Sequence, residues 1–348
     1  MEFRQWVDND DELSEQIWKD KYQHNNETFD EWIDRISNGN ERIKQLILQK
    51  KFLFGGRILS NRGMEKHGHK VTYSNCYVIA PPEDSIESIF EAASKLARTF
   101  SYGGGCGLDI SKLSPRGARI NNTARKTTGS VSFMELYSMI TGLIGQNGRR
   151  GALMLSLDCN HPDLEEFISI KNDLNSVTKA NISVKVTNEF MKAVVDEDYY
   201  DLIFVRPETN EEIVKRVFAP DIFKQLCENN WNYAEPGILY WDNIRNFNLL
   251  QYDDDFEYAG VNPCAEEPLP AGGSCLLGSL NLAAFVDEDE WGPKFAFEDF
   301  EDAVELAVVA LNDVLDEGLP LHPLEEQRKS VADWRQIGLG IFGLADML

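Results

Sequence analysis

From Thr72 to Asn188 short apolar runs alternate with helix-length amphipathic segments, and this alternation restricts the fold more than any other feature of the chain. Thr72–Ile79 reads as a strand. Asp84-Ser85 can cap a helix whose buried face is Ile86, Ile89, Phe90, Ala93 and Leu96, with Gly103-Gly104-Gly105 as its stop. Strand then helix recurs: Gly107–Ile110, Phe133–Ile144, Leu153–Leu157, Pro162–Ile170, Ile182–Val186, and a helix after Thr187-Asn188. Such a pattern predicts an α/β fold with a parallel sheet. Ahead of it, Leu13 to Phe54 reads as helical, with a Thr28-x-x-Glu31 capping box and Phe29, Trp32, Ile33 and Ile36 at helical spacing. Tyr199–Val205 and Ile213–Phe218 flank Pro207-Glu208-Thr209-Asn210 as a hairpin.

Composition narrows the partners. Lys+Arg at 34 against Asp+Glu at 58 leaves 34 − 58 = −24 charges, and no basic stripe carries interleaved aromatics, so a nucleic acid polymer is not an expected partner. Mononucleotides need only a few local cations and backbone amides. No run approaches the roughly eighteen apolar residues of a membrane span, and the start Met1-Glu2-Phe3-Arg4-Gln5-Trp6 lacks a signal core. No membrane association and a cytoplasmic location are expected. The six cysteines, at 76, 106, 159, 227, 264 and 275, show neither CxxC spacing nor a disulfide framework, so no metal site is expected.

Asn262-Pro263-Cys264-Ala265-Glu266, with Cys275 eleven residues on, carries the chemistry. If the backbone there is extended, amide, thiol and carboxylate project to one side, because side-chain direction repeats every two residues. A radical-capable sulfur would then stand between a hydrogen-bonding group and a base. Taken alone, a lone cysteine is most often a small buried hydrophobe, and Glu266 could be a solvated carboxylate like its neighbour Glu267. Gly103-Gly104-Gly105 lacks the Lys-Ser/Thr ending of a phosphate-binding loop, and a helix stop followed by close backbone approach explains it better.

Further motifs stand in order along the chain: Ser74-Asn75-Cys76-Tyr77-Val78-Ile79, Phe100 to Ile110 with its glycines, Pro115-Arg116-Gly117-Ala118, Gly148-Arg149-Arg150-Gly151-Ala152 and Glu235-Pro236-Gly237-Ile238. Together with the Asn262–Glu266 loop they resemble the catalytic (large) chain of the ribonucleotide reductases, in its N-terminal part and nearest the adenosylcobalamin-dependent class. The likeness runs from about Leu13 to Leu348.

The resemblance implies an incomplete ten-stranded α/β barrel: a helical N-terminal domain over residues 1–70, then barrel over 71–348, comprising the first half, the active-site loop and the start of the second half. The apolar, Gly-punctuated run from Gly338 to Leu348 is a poor natural terminus, so a complementing C-terminal segment or chain is expected. By resemblance Cys264 is the thiyl radical, Glu266 the base for the substrate 3′-hydroxyl and Asn262 the group holding both in register. Cys76 and Cys275 would form the redox-active disulfide, while Cys106, Cys159 and Cys227 match no such role. Asn75, Cys76 and Gly105 would lie against the ribonucleotide. A dNTP or ATP effector would meet Asp84, Arg119, Arg125 and Lys126 at a homodimer interface, on segments Arg116–Ser130 and Lys171–Ala180. Many relatives carry a cation where this chain has Ser114. Adenosylcobalamin, or else a radical-generating metal subunit, is the implied cofactor, and a thioredoxin-like dithiol the reductant. A catalytically incomplete nucleotide-binding or regulatory fragment is the alternative.

Overall fold

The computed structural model describes residues 2–7, 11–120, 123–146 and 149–348. Asn121 and Asn122 of the Arg116–Ser130 segment and Gly148 of the Gly148–Ala152 motif lie outside these residues. The chain divides into two compact units, one of Met1–Asn75 with Ser274–Leu348, the other Cys76–Gly273. Among the described residues no helix is long and apolar enough to cross a membrane.

The first unit is built on helices Glu12–Lys21, Phe29–Ser37 and Glu41–Leu48. The expected capping box forms: Thr28 accepts from the Glu31 N–H, and the Glu31 carboxylate returns to the Thr28 N–H. That fixes the start of a helix whose Phe29, Trp32, Ile33 and Ile36 are all buried. They share one hydrophobic core with Leu276 and Leu280 of the Ser274–Asn281 strand and with Ala307, Leu311 and Val314 of the Phe297–Gly318 helix. The helical expectation fails at its end, since Phe52–Phe54 is a strand paired antiparallel with Ser274–Asn281. A three-residue apolar run has no periodicity of its own, and the distant partner decides it. The other edge of Ser274–Asn281 pairs parallel with Ile337–Phe342.

The second unit holds the predicted parallel sheet. Its strands run in the order Cys76–Ile79, Gly105–Asp109, Leu153–Asp158, Asn181–Val186 and Gly237–Tyr240, each parallel to the next. The first four are buried almost throughout, as strands covered on both faces must be, whereas Gly237–Tyr240 at the edge buries only Leu239. The connecting helices fall where expected, including Ile86–Ser101 with Ser85 as its cap and Met134–Leu143. Two positions correct the expected face of Ile86–Ser101: Ile86 and Phe90 are exposed, at 53% and 54%, while Ile89, Ala93 and Leu96 are buried. The apolar arc of this helix is wider than its own unit covers. Tyr199–Val205 and Glu212–Phe218 form the expected hairpin.

Candidate active site

The Asn262–Glu266 segment is not extended. It is the loop of a small hairpin between strands Gly260–Val261 and Pro268–Leu269. The Ala265 N–H donates to the Asn262 carbonyl at 3.1 Å, closing a turn over Pro263 and Cys264, and Ala265 itself takes φ +70°. Such a turn followed by a left-handed residue is a standard way to reverse an antiparallel pair. Asn262 is the clasp. Its N–H donates to Glu267 O at 3.0 Å, and its Oδ1 accepts the Glu267 N–H at 3.1 Å. The consequence for the side chains departs from simple alternation: Asn262 is fully buried, whereas Cys264 and Glu266 are exposed.

Two glycines of the Gly105–Asp109 strand let this hairpin lie on the sheet. A Cβ on Gly107 would fall 1.7 Å from the Val261 carbonyl oxygen, and one on Gly105 would fall 2.8 Å from Pro263 Cγ. Only hydrogen fits at Gly107. Farther along the same sheet, Asn181 Nδ2 donates to Pro263 O at 3.1 Å. Val261 packs with Met154 and Leu239, and Ala265 rests against that cluster. The loop is thus held at several points along its length while Cys264 and Glu266 remain exposed. Asn262 Nδ2 is buried with no hydrogen-bond partner among the described residues, a donor left unspent beside the exposed groups.

Cys76 is buried and pairs in register with Gly105, so two of the expected substrate-contacting residues are neighbours across adjacent strands. In the other unit, Cys275 is buried, and its carbonyl accepts the N–H of Asn75, the residue preceding Cys76 in the chain, at 3.4 Å. Asn75 also accepts the Arg57 N–H through Oδ1.

Glu267, read above as a solvated carboxylate, is not one, and its place beside the site was passed over. Half-buried, its carboxyl is lifted above the ordinary carboxylate range by burial and by the adjacent Glu266 charge. Asn181 was passed over as well; a polar residue opening a buried strand was the available signal.

The expected effector residues lie elsewhere in the same unit. Gly117 N–H donates to Thr127 O and Thr127 N–H to Ala118 O, and beside these bonds Arg119, Arg125 and Lys126 are all exposed. Asp84 Oδ1 accepts the Ser114 N–H at 2.8 Å and Oδ2 accepts the Ser114 hydroxyl. In the Lys171–Ala180 segment, Lys171 Nζ bridges the Val177 and Ala180 carbonyls and pairs with Glu235.

Comparison with known proteins gives this geometry its context. The family model described as "Ribonucleotide reductase, barrel domain" matches residues 74–348. The chain is 37% identical over 330 residues to the vitamin B12-dependent ribonucleoside-diphosphate reductase of Thermoplasma acidophilum, a match covering 92% of this chain and 41% of that protein. It is 34% identical over 310 residues to the protein of the same name from Mycobacterium tuberculosis, covering 88% of this chain and 42% of that one. The chain therefore spans about two fifths of the length of these relatives. In fold it is similar to the class Id ribonucleotide reductase alpha subunit of Actinobacillus ureae, with a TM-score of 0.79, 21% identity, and coverage of 97% of this chain and 60% of that one. The expected α/β architecture, part of such a subunit's barrel with helices ahead of it, is the one observed. A matching family model across most of its length, on a fold that seats the Asn262–Glu266 loop against a parallel sheet, places this chain in the ribonucleotide reductase barrel-domain family.

Proposed function

We propose that this chain is the loop-bearing part of the catalytic chain of a ribonucleotide reductase, an oxidoreductase that replaces the 2′-hydroxyl of a ribonucleoside di- or triphosphate with hydrogen for deoxyribonucleotide synthesis. The observation that carries this reading is the pinned hairpin that buries Asn262 while exposing Cys264 and Glu266.

In this reading the Cys264 thiyl takes the 3′-hydrogen, so that an S–H bond forms as the C3′–H bond breaks. Glu266 accepts the 3′-hydroxyl proton, as a positioned carboxylate can, and the 2′-oxygen leaves as water. Asn262, whose buried Nδ2 has a donor to spare, holds the substrate in register with Glu266. Asn75, Cys76 and Gly105 lie along the nucleoside. Cys76 and Cys275 give up two electrons and two protons and end as a disulfide; the 3′-hydrogen then returns from Cys264, regenerating its thiyl. A thioredoxin-like or other external dithiol restores the pair.

Adenosylcobalamin, the B12 cofactor class named for the two relatives, supplies the initiating radical when bound. What fits it on the side of this chain is an exposed thiol on an anchored main chain, and a radical-generating metal subunit would meet the same thiol. The remaining partners are a complementing C-terminal segment or chain, a dNTP or ATP effector contacting Asp84, Arg119, Arg125 and Lys126, and a second copy of the chain. Exposed Ile86 and Phe90 on one helix and Met139 and Leu143 on another favour the homodimer. The setting is the cytoplasm.

The test is Cys264→Ser in the enzyme completed by its C-terminal part. Turnover should fall to background while nucleotide affinity stays near wild type, because an alcohol O–H bond is too strong for the same radical role. Appreciable reduction by the serine variant would sink the assignment.

A further inference from the structure

Arg206 stands where the Tyr199–Val205 strand ends, at the closed tip of its hairpin. The tip is held by Arg206 N–H to Glu211 O and Asn210 N–H to Arg206 O, both at 2.9 Å. Its side chain is only 4% exposed, yet the guanidinium is poorly partnered. Nη2 reaches Asp84 Oδ2 and Glu208 Oε2 at 3.5 Å each, and Nε has no hydrogen-bond partner among the described residues. Contacts of that length sit at the outer limit of hydrogen bonding. Asp84 is already held by Ser114, whose N–H and hydroxyl donate to its two oxygens, and it stands at the outer limit of reach from Arg206. Glu208 is 61% exposed and offers a loosely held carboxylate. A guanidinium buried with donors unspent is costly, and it is relieved by an anion with several oxygens in a planar, two-point approach.

We propose that Arg206 is a phosphate-binding residue of the effector site, with Glu208 as the displaceable carboxylate that occupies it when no nucleotide is bound. The inference rests on the effector reading given above, with Asp84 on the ribose side. It brings the tip of the 199–218 hairpin into that site, an element that the effector segments at 116–130 and 171–180 do not include. The ligand is the polyphosphate of a nucleoside triphosphate.

The experiment titrates dATP and inorganic tripolyphosphate by calorimetry into the enzyme completed by its C-terminal part, as wild type, Arg206→Gln, Arg206→Lys and Glu208→Gln. Loss of charge-assisted bonds predicts roughly 10- to 100-fold weaker dATP binding for Arg206→Gln. Arg206→Lys should recover part of the loss, and Glu208→Gln should bind both ligands more tightly than wild type. If Arg206→Gln does not fold, the Glu208→Gln comparison decides: tighter binding supports the assignment and unchanged binding overturns it. Equal dATP affinity in wild type and Arg206→Gln also overturns it while leaving the effector reading intact. A wild-type enzyme that binds neither ligand defeats both.

Discussion

Asn262 and Glu267 hold each other across the loop by two hydrogen bonds, Asn262 N–H to Glu267 O at 3.0 Å and Glu267 N–H to Asn262 Oδ1 at 3.1 Å. Only the second uses a side chain, so it can be deleted alone. Asn262→Ala should leave the Glu267 N–H without its acceptor at a cost of about 1–3 kcal/mol. It should also release Cys264 from its fixed position. Thermal unfolding and turnover of the completed enzyme should both fall, and an unchanged melting temperature would show that the clasp is not stabilising.

The proposed dithiol can be distinguished from its nearest competitor by register. Cys76 is opposite Gly105 and Tyr77 is opposite Cys106, so Cys76 and Cys106 project to opposite faces of the sheet. Cys106 is moreover completely buried, and burial pushes its thiol well above the ordinary range. A single turnover without external reductant should therefore yield a Cys76–Cys275 disulfide, found by peptide mapping and mass spectrometry. A Cys76–Cys106 bridge, or free thiols after product has formed, would refute the pairing.

Lys185 is buried in the sheet with its ammonium 2.9 Å from Asp109 and 2.8 Å from Asp158, above the Trp241 ring. Burial works against its charge, but the two carboxylates outweigh burial and hold its pKa above the ordinary lysine range. A raised folded-state pKa means that this stabilisation is complete below about pH 10.4 and is lost only as pH climbs beyond it. Lys185→Met should cost about 3–5 kcal/mol, because it strands Asp109 as a buried charge. Denaturant titration at neutral pH measures this, and a loss below 1 kcal/mol would contradict it.

His322 behaves in the opposite sense. Burial, reinforced by the Arg328 charge, pushes its pKa from 6.5 down to about 4. The unfolded chain then binds more protons between those values, so stability falls as pH drops from 6.5 towards 4, by up to about 3 kcal/mol from this residue. His161, also depressed by burial, adds to the same trend. His322→Gln should flatten the acid limb of a stability–pH curve measured by denaturant titration. A variant with the wild-type slope would exclude His322 as a source.

Much of this architecture is legible in the residues because it is local. Thr28 and Glu31, Ser85, and Thr187 cap helices where their spacing says they should. The buried strands announce themselves as short apolar runs between turn residues. What escaped was decided at a distance. Phe52–Phe54 is a strand only because Ser274–Asn281 lies beside it, and the N-terminal helices share a core with Leu311 and Val314, residues more than 200 positions away. At the site, the residue types could be read but not the loop shape. Alternation supposed an extended backbone, whereas Pro263 at the turn and the Asn262 clasp reverse the chain. Glu267 and Arg206 give no sign of themselves in one sequence, since each draws its character from burial and from neighbours that folding supplies.

The missing side chain at Gly107 has one further consequence. With the Val261 carbonyl seated where a methyl group would be, the gap between sheet and hairpin is a main-chain dimension, set by peptide thickness and independent of rotamers. If Cys264 carries an unpaired electron, that matters for self-preservation. A sulfur radical attacks whatever weak C–H bond comes within reach, and a support that does not swing with side-chain motion keeps its field of fire narrow. Gly107→Ala would then do more than disturb packing: by lifting the hairpin, it would turn a directed oxidant into an indiscriminate one, with damage recorded on the protein's own chain.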